Sequence, residues 1–149
     1  MPTLERRWRR DFPGNEAELR PLREWLARLL PDAPARDDAI MVAVELATNA
    51  VKYTASGRGG SFAVEITWHA QPTTVRIAVV DGGAPTGPQE SSGHDVLGEH
   101  GRGLQVVLGL ASRTGACGDE GGRLIWADVP WTDRSPVGSR RHTSRRGPR

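Results

Sequence analysis

The amino-acid sequence predicts an α+β sandwich, in which a mixed, largely antiparallel sheet of about five strands carries three helices on one face. Three observations support this fold class. Three segments repeat apolar residues at helical spacing, and two central segments alternate large apolar residues with small or polar ones. These segments follow one another along 149 residues without an internal repeat. Alternation with period two indicates strands with one buried face, as in a sheet covered on one side.

The N-terminal elements are a short strand and a helix. The strand is predicted over residues 7–12, and Gly14-Asn15 then offers a cap for a helix that runs to about Leu30. The leucines of this helix fall on one face: Leu19, Leu22, Leu26, Leu29 and Leu30. The stretch from Pro31 to Pro34 ends the helix.

A second helix is predicted from about Arg36 to Tyr53, with Asp37 and Asp38 near its positive N-terminal end. One apolar stripe is expected to face the core: Ile40, Val44, Ala47 and Val51. A Gly-rich turn follows over residues 56–61. Two strands are then predicted over residues 62–69 and 74–79, joined by a hairpin turn at Gln71-Pro72.

The segment from Gly82 to Gly101 is rich in Gly, Pro and Ser and shows no period. Segments of this length without structure inside a compact domain are uncommon, and are functional lids or disordered. A third helix is predicted from Leu104 to about Ser112, with Leu104, Val107, Leu108 and Ala111 on its core face. A final hairpin is expected to close with a strand over residues 123–129.

Composition indicates a globular, cytoplasmic protein. Hydrophobic residues make up 37% of the chain and charged residues 26%. No apolar run approaches the roughly 20 residues that span a bilayer, and the basic N-terminus lacks the apolar region of a secretory signal. A single cysteine, Cys117, cannot form an internal disulfide. We therefore expect no membrane association.

The net charge of +2 hides an asymmetry, because six arginines and no acid lie between Arg134 and Arg149. We divide the chain into a domain over residues 1–133 and a basic, disordered tail over residues 134–149. A basic tail can also touch nucleic acid or an acidic partner. That hypothesis predicts salt-sensitive binding that disappears on truncation after Asp133.

The positions of the aromatic residues argue against a nucleic-acid-binding surface. The five tryptophans fall mostly on predicted elements and are expected in the core rather than on a stacking platform: Trp8, Trp25, Trp68, Trp126 and Trp131. Binding of single strands needs aromatics interleaved with cations along one groove. Nucleic acid is therefore not an expected partner of the domain.

The first of three motifs is Glu45-Leu46-Ala47-Thr48-Asn49-Ala50-Val51 on the second helix. Glu45 and Asn49 are four residues apart and so share a helix face. A carboxylate can accept a proton from a hydroxyl or water nucleophile, and an amide oxygen is a hard ligand for Mg²⁺. The alternative is the exposed polar face of an ordinary amphipathic helix.

The second and third motifs lie on either side of the long loop. Asp81-Gly82-Gly83 ends a predicted strand, where a carboxylate can accept a hydrogen bond from an exocyclic amine and glycines let the backbone approach a ligand. Gly101-Arg102-Gly103-Leu104 opens the third helix, whose free N–H groups and dipole favour an anion such as phosphate. Taken singly, an Asp-Gly turn and a glycine at a helix start are common features.

In this order and spacing, the three motifs resemble the ATP-binding boxes of the histidine-kinase-like ATPase superfamily. That module is shared by histidine kinases, gyrase, certain chaperones and mismatch-repair ATPases. The resemblance covers roughly residues 10–130. It implies that Asn49 coordinates the Mg²⁺ on the ATP phosphates, that Glu45 is the general base, and that Lys52 faces a phosphate.

The resemblance also assigns the base and phosphate contacts. Asp81 would receive the adenine amino group, and Gly83 would let the chain pass close to the base. The phosphates would be bordered by Gly101, Arg102, Gly103 and Leu104. The chain departs from the family at Pro85, where a second glycine is common, and at Tyr53, where short members often have His.

Among the superfamily, short stand-alone members similar to this chain include anti-sigma-factor serine/threonine kinases. Such proteins sequester a sigma factor and phosphorylate a small antagonist protein, so the implied partners are ATP, Mg²⁺, a sigma factor and its antagonist. The alternative is a non-catalytic module in which ATP binding recruits a protein partner. The sequence leaves open whether the protein forms a homodimer, for example through its first strand.

Overall fold

The computed structural model describes residues 5–53, 59–70, 73–82, 102–119 and 121–131. The strands are β1 (Glu5–Pro13), β2 (Ser61–Ala70), β3 (Thr73–Asp81), β4 (Arg113–Asp119) and β5 (Gly122–Pro130). The helices are α1 (Leu19–Leu29), α2 (Pro34–Tyr53) and α3 (Arg102–Leu110), and a short 3₁₀ turn (Glu16–Glu18) precedes α1.

The five strands form one sheet in the order β1-β2-β3-β5-β4. All four described pairings are antiparallel, so the predicted α+β class is confirmed and the sheet has no parallel pair among these strands. One face of the sheet packs against α1, α2 and α3 through every second residue of its three central strands. These residues are Phe62, Val64, Ile66, Val75, Ile77, Val79, Ile125, Ala127 and Val129.

The first strand is longer than predicted and charged along most of its length. On its outer face Arg9 Nη1 donates to Glu65 Oε1 at 2.7 Å across the β1–β2 pair. On its inner face Phe12 is buried, stacks on Phe62 with 5.4 Å between ring centroids, and meets the edge of Trp25. Cross-strand pairs of this kind hold the edge strand in register.

Helix α1 begins without the predicted side-chain cap, because the Asn15 side chain makes no capping hydrogen bond. The 3₁₀ turn instead closes through the backbone, with Glu18 N–H donating to the Asn15 carbonyl. The predicted leucine face is confirmed. Leu22, Leu26 and Leu30 are buried, and Leu19 and Leu29 pack against the core at its margin.

Helix α2 starts at Pro34, two residues earlier than predicted, since proline suits the first helical position. Its buried face is also wider than the predicted stripe. Val44 and Ala47 are buried, but Ile40 and Val51 lie at the margin. The residues that fill the buried face are Ala35, Ala39, Val42, Ala43, Val44, Leu46, Ala47 and Ala50. The prediction gave weight to large side chains, whereas alanines let this helix lie close to its neighbours.

Two expectations about core residues were wrong. Leu108 on α3 is 51% exposed, whereas Leu110 packs against the core, because the buried face of the helix runs through Leu104 and Val107 toward Leu110 and away from Leu108. Trp126 is half-buried on the outer face of the sheet, with Arg76 Cζ 4.1 Å from its ring centroid. Hydrogen bonds from Arg76 to Asp128 raise the pKa of Arg76 above its usual range. The other four tryptophans do contact the core.

Several predicted features lie outside the described residues. They are the turn at Gln71-Pro72, residues 56–58 of the Gly-rich turn, the loop over residues 83–101 and the tail over residues 134–149. Within the residues that the structure describes, no helix combines the length and apolarity needed to cross a membrane.

Candidate functional site

Helix α2 brings Glu45 and Asn49 onto one face, one turn apart, and both are half-buried. The hydroxyl of the intervening Thr48 is used within the helix, since its Oγ1 donates a hydrogen bond to the Val44 carbonyl at 2.6 Å. The Asn49 Nδ2 atom is buried and has no hydrogen-bond partner among the described residues. Buried amide groups normally have such partners, so this donor lacks a hydrogen bond that a ligand could supply.

Glu45 lies in an open groove of about 350 Å³ at the surface of the three helices. Its other described lining residues are Arg23, Asp37, Ile40, Met41, Val44 and Val106. Met41 is 47% exposed and Val106 37%, so much of the lining is solvent-accessible apolar surface. Exposed apolar surface rimmed by polar residues is typical of interaction sites. The carboxylate of Glu45 is therefore accessible to a group on another molecule.

Asp81 stands at the end of β3 with its side chain on the helix-covered face, in step with Val75, Ile77 and Val79. The side chain is only 2% exposed. A buried carboxylate requires compensating partners. Part of the compensation comes from Arg123 on β5, which is opposite Asp81 in the strand register.

Arg123 is a candidate site residue that the sequence analysis missed. Its Nε lies 3.7 Å from Asp81 Oδ1, and its side chain is 17% exposed. In β5, Arg123 shares the inward face with Ile125, Ala127 and Val129, so a cation occupies the first position of an apolar stripe. This arginine in an otherwise apolar stripe is the sequence feature that could have identified Arg123 as a site residue. The sequence does not show which residue the cation would face.

Three residues of the third motif, Arg102, Gly103 and Leu104, form the first turn of α3. Leu104 is buried in the core, which anchors the helix start, and Arg102 and Gly103 precede it within the helix. The predicted residues Gly83 and Gly101 lie outside the described part of the chain. Lys52 is exposed in the last turn of α2.

The fold brings the elements of the three motifs together around α2. This helix packs against β3, which ends at Asp81, and against α3, which begins with the third motif. Val106 of α3 lines the same groove as Glu45. The described residues lining that groove include Glu45 but not Asn49 or Asp81.

The residues present fit a metal that is held mainly by its substrate. No cluster of three or more His, Cys, Asp or Glu side chains occurs within the described ranges. Mg²⁺ is commonly bound through one or two protein oxygens, substrate phosphates and water. The amide oxygen of Asn49 and the carboxylate of Glu45, on one face of α2, are oxygen ligands of the kind that suits such a site.

A family of known proteins matches most of the chain. Residues 12–127 match a family described as the histidine kinase-like ATPase domain, and this match takes in Glu45, Asn49, Asp81, Arg123 and the whole of α3. No protein of curated function matches the chain.

Proposed function

The chain belongs to the histidine kinase-like ATPase domain family, and from this premise we propose that it is an ATP-dependent regulatory protein of the anti-sigma-factor serine/threonine kinase type. The main support for this proposal is the pair Glu45 and Asn49 on one face of α2. The Nδ2 atom of Asn49 is buried and has no hydrogen-bond partner among the described residues, and Glu45 lines an open groove. In this pair Asn49 would bind the phosphates and Glu45 would accept a proton.

The proposed site binds the nucleotide through its adenine base and through its phosphates. Asp81 accepts a hydrogen bond from the 6-amino group of adenine. Asn49 supplies its amide oxygen to Mg²⁺ and its Nδ2–H to a phosphate oxygen, which satisfies the buried donor. The first turn of α3 offers backbone N–H groups to the phosphates. Lys52, exposed one turn after Asn49, adds a positive charge on the same side of α2.

Phosphoryl transfer then requires an acceptor hydroxyl at Glu45. The serine or threonine oxygen of a partner protein attacks the γ-phosphorus, the hydroxyl proton passes to the Glu45 carboxylate, and ADP leaves. Mg²⁺, when bound, neutralises charge on the phosphates, so the protein contributes mainly positioning and electrostatic stabilisation. The open groove supports this step, because an enclosed cavity would exclude a protein-borne hydroxyl.

Nucleotide binding is tested by titrating the protein with ATP in a calorimeter, with and without Mg²⁺. We expect magnesium-dependent binding that Asp81→Asn and Asn49→Ala each weaken by about tenfold or more, as loss of a charge-assisted hydrogen bond or metal ligand would do. Asn15→Ala is the matched control, because Asn15 is exposed at the 3₁₀ turn. Absence of ATP binding by folded wild-type protein would refute the proposal.

Catalysis is tested separately with Glu45→Gln. If Glu45 is the general base, we expect ATP affinity to be retained and phosphoryl transfer to fall by about 10²–10⁴-fold. The measurement is single-turnover transfer from γ-labelled ATP to each candidate antagonist protein, with Glu16→Gln as the control at an exposed glutamate.

A second candidate is a non-catalytic ATP-dependent binding module. It is favoured by the exposed apolar side chains Met41, Val106 and Leu108, which suit a protein partner whether or not chemistry occurs. Equal sigma-factor regulation by wild type and Glu45→Gln, with ATP still required, would support the module over the kinase.

A further inference from the structure

Arg123 and Asp81 form a charged pair at one end of the helix-covered face of the sheet. The register pairs before them on β3 and β5 are apolar: Val79 with Ile125, and Ile77 with Ala127. Both members of the charged pair are largely buried, with 2% of the Asp81 side chain and 17% of the Arg123 side chain exposed. A cation placed so deeply requires an explanation, since isolated buried charge is costly.

The ion pair alone does not satisfy the guanidinium. The 3.7 Å between Arg123 Nε and Asp81 Oδ1 exceeds a hydrogen-bond distance. Within the described part of the chain, the buried Nε of Arg123 has no hydrogen-bond partner. A guanidinium carries five N–H donors and no acceptor, and a buried pair is stable only when its remaining donors are satisfied.

We propose that Arg123 is a second nucleobase-binding residue, which donates an N–H to a ring nitrogen of adenine beside the 6-amino group. This inference rests on the proposed ATP-binding function. Asp81 accepts from the amino group, and a terminal nitrogen of Arg123, whose side chain is 17% exposed, donates to the neighbouring ring acceptor, N1 or N7. Arg123 Nε meanwhile closes on Asp81, a shortening of about 0.5–1 Å from the present distance.

The paired donor and acceptor match a specific edge of the purine. Adenine presents an amine donor flanked on either side by a ring nitrogen acceptor, so it engages both side chains at once. Guanine held in the same orientation presents O6 to the Asp81 carboxylate, where the two acceptors repel each other. Rejection of GTP therefore reports on Asp81, and a test of Arg123 must alter a ring nitrogen alone.

The experiment measures calorimetric dissociation constants of ATP, 1-deaza-ATP and 7-deaza-ATP, with Mg²⁺, for wild type, Arg123→Met and Arg123→Lys. We expect wild type to bind one of the two analogues about tenfold or more weakly than ATP, as loss of a hydrogen bond to a charged group predicts. Arg123→Met should bind ATP and that analogue equally. Arg123→Lys should keep part of the difference, because an ammonium still donates.

Three outcomes would overturn the inference. If wild type binds ATP and both analogues equally, Arg123 makes no contact with a ring nitrogen, although ATP binding stands. If the ratio of the two affinities is the same in wild type and Arg123→Met, Arg123 is only a structural ion-pair partner. If wild type binds no ATP, the proposed function fails as well.

The wild-type comparison and Arg123→Lys keep the test decisive if Arg123→Met does not fold. Arg113→Met is the matched control, because Arg113 is an exposed arginine on the edge strand β4, and its nucleotide affinities should equal those of wild type.

Discussion

Two buried polar atoms without partners stand out at the scale of single residues. Within the described ranges these are Asn49 Nδ2 and Arg123 Nε, and both belong to the candidate site. A buried donor left unsatisfied costs about 1–3 kcal/mol. In the proposed complex a phosphate oxygen satisfies Asn49 Nδ2 and the Asp81 carboxylate closes on Arg123 Nε, so nucleotide binding would stabilise the folded protein at both atoms.

This gives a first prediction, for thermal unfolding. At a Mg-ATP concentration about 100 times its dissociation constant, binding to the folded state adds about 2.7 kcal/mol to the free energy of unfolding. This raises Tm by about 5–10 °C for a domain of this size. Differential scanning calorimetry with and without Mg-ATP measures the shift. Asp81→Asn and Asn49→Ala should reduce it, and an undiminished shift in both variants would place ATP elsewhere on the protein.

Gly115 is a second residue whose identity the structure explains. A Cβ built at Gly115 would lie 2.5 Å from indole atoms of Trp126, its cross-strand neighbour on the outer face. We expect Gly115→Ala to displace the indole, and with it Arg76, and to lower the free energy of unfolding by about 1–3 kcal/mol, as overpacking does.

The control for this prediction is Gly109→Ala in α3. A Cβ at Gly109 meets nothing within 4 Å, and alanine is favoured over glycine in a helix by up to about 1 kcal/mol. Gly109→Ala should be neutral or stabilising in urea unfolding. Equal stability of the two variants would show that Trp126 does not pack on Gly115.

At the scale of elements, α2 has two distinct surfaces, one that holds the core and one that carries the site. Leu46 is 1% exposed among its buried residues, whereas Met41 is 47% exposed in the groove beside Glu45. We expect Leu46→Ala to lower the free energy of unfolding by about 2–5 kcal/mol.

Met41→Ala is the matched control on the same helix, and its cost should stay within about 0.5 kcal/mol because the side chain is solvent-accessible. Chemical denaturation of both variants measures the difference. A large loss of stability in Met41→Ala would mean that the groove is part of the core and is closed to a partner.

Element prediction from sequence was accurate where periodicity was strong. The leucine face of α1 and the alternating strands β2 and β3 follow from spacing alone, because burial of one face imposes a period. It was inaccurate for Leu108, whose exposure depends on which side of α3 faces the core, and for α2, whose wide apolar arc fits more than one stripe. Neither the rotation of a helix against the core nor the number of neighbours packed on it is a local property.

At the scale of the whole molecule, the family match ends at residue 127, and the tail over residues 134–149 holds six arginines and no acid. We propose that residues 134–149 contribute nothing to folding or nucleotide binding. Truncation after Asp133 should leave Tm within about 2 °C of wild type and ATP affinity unchanged. Calorimetry tests both, and a lower affinity in the truncated protein would assign the arginines of the tail to the site.

The sequence by itself determined the fold class, the order of the elements and the Glu45, Asn49 and Asp81 candidates, because periodicity and short motifs are local. Only the tertiary structure decided that α2 lies between β3 and α3, that Glu45 faces an open groove, and that Trp126 lies on the outer face. It also placed Arg123 opposite Asp81. The reason is strand register: residues 42 positions apart become neighbours only when β3 and β5 pair, and no local pattern encodes that alignment.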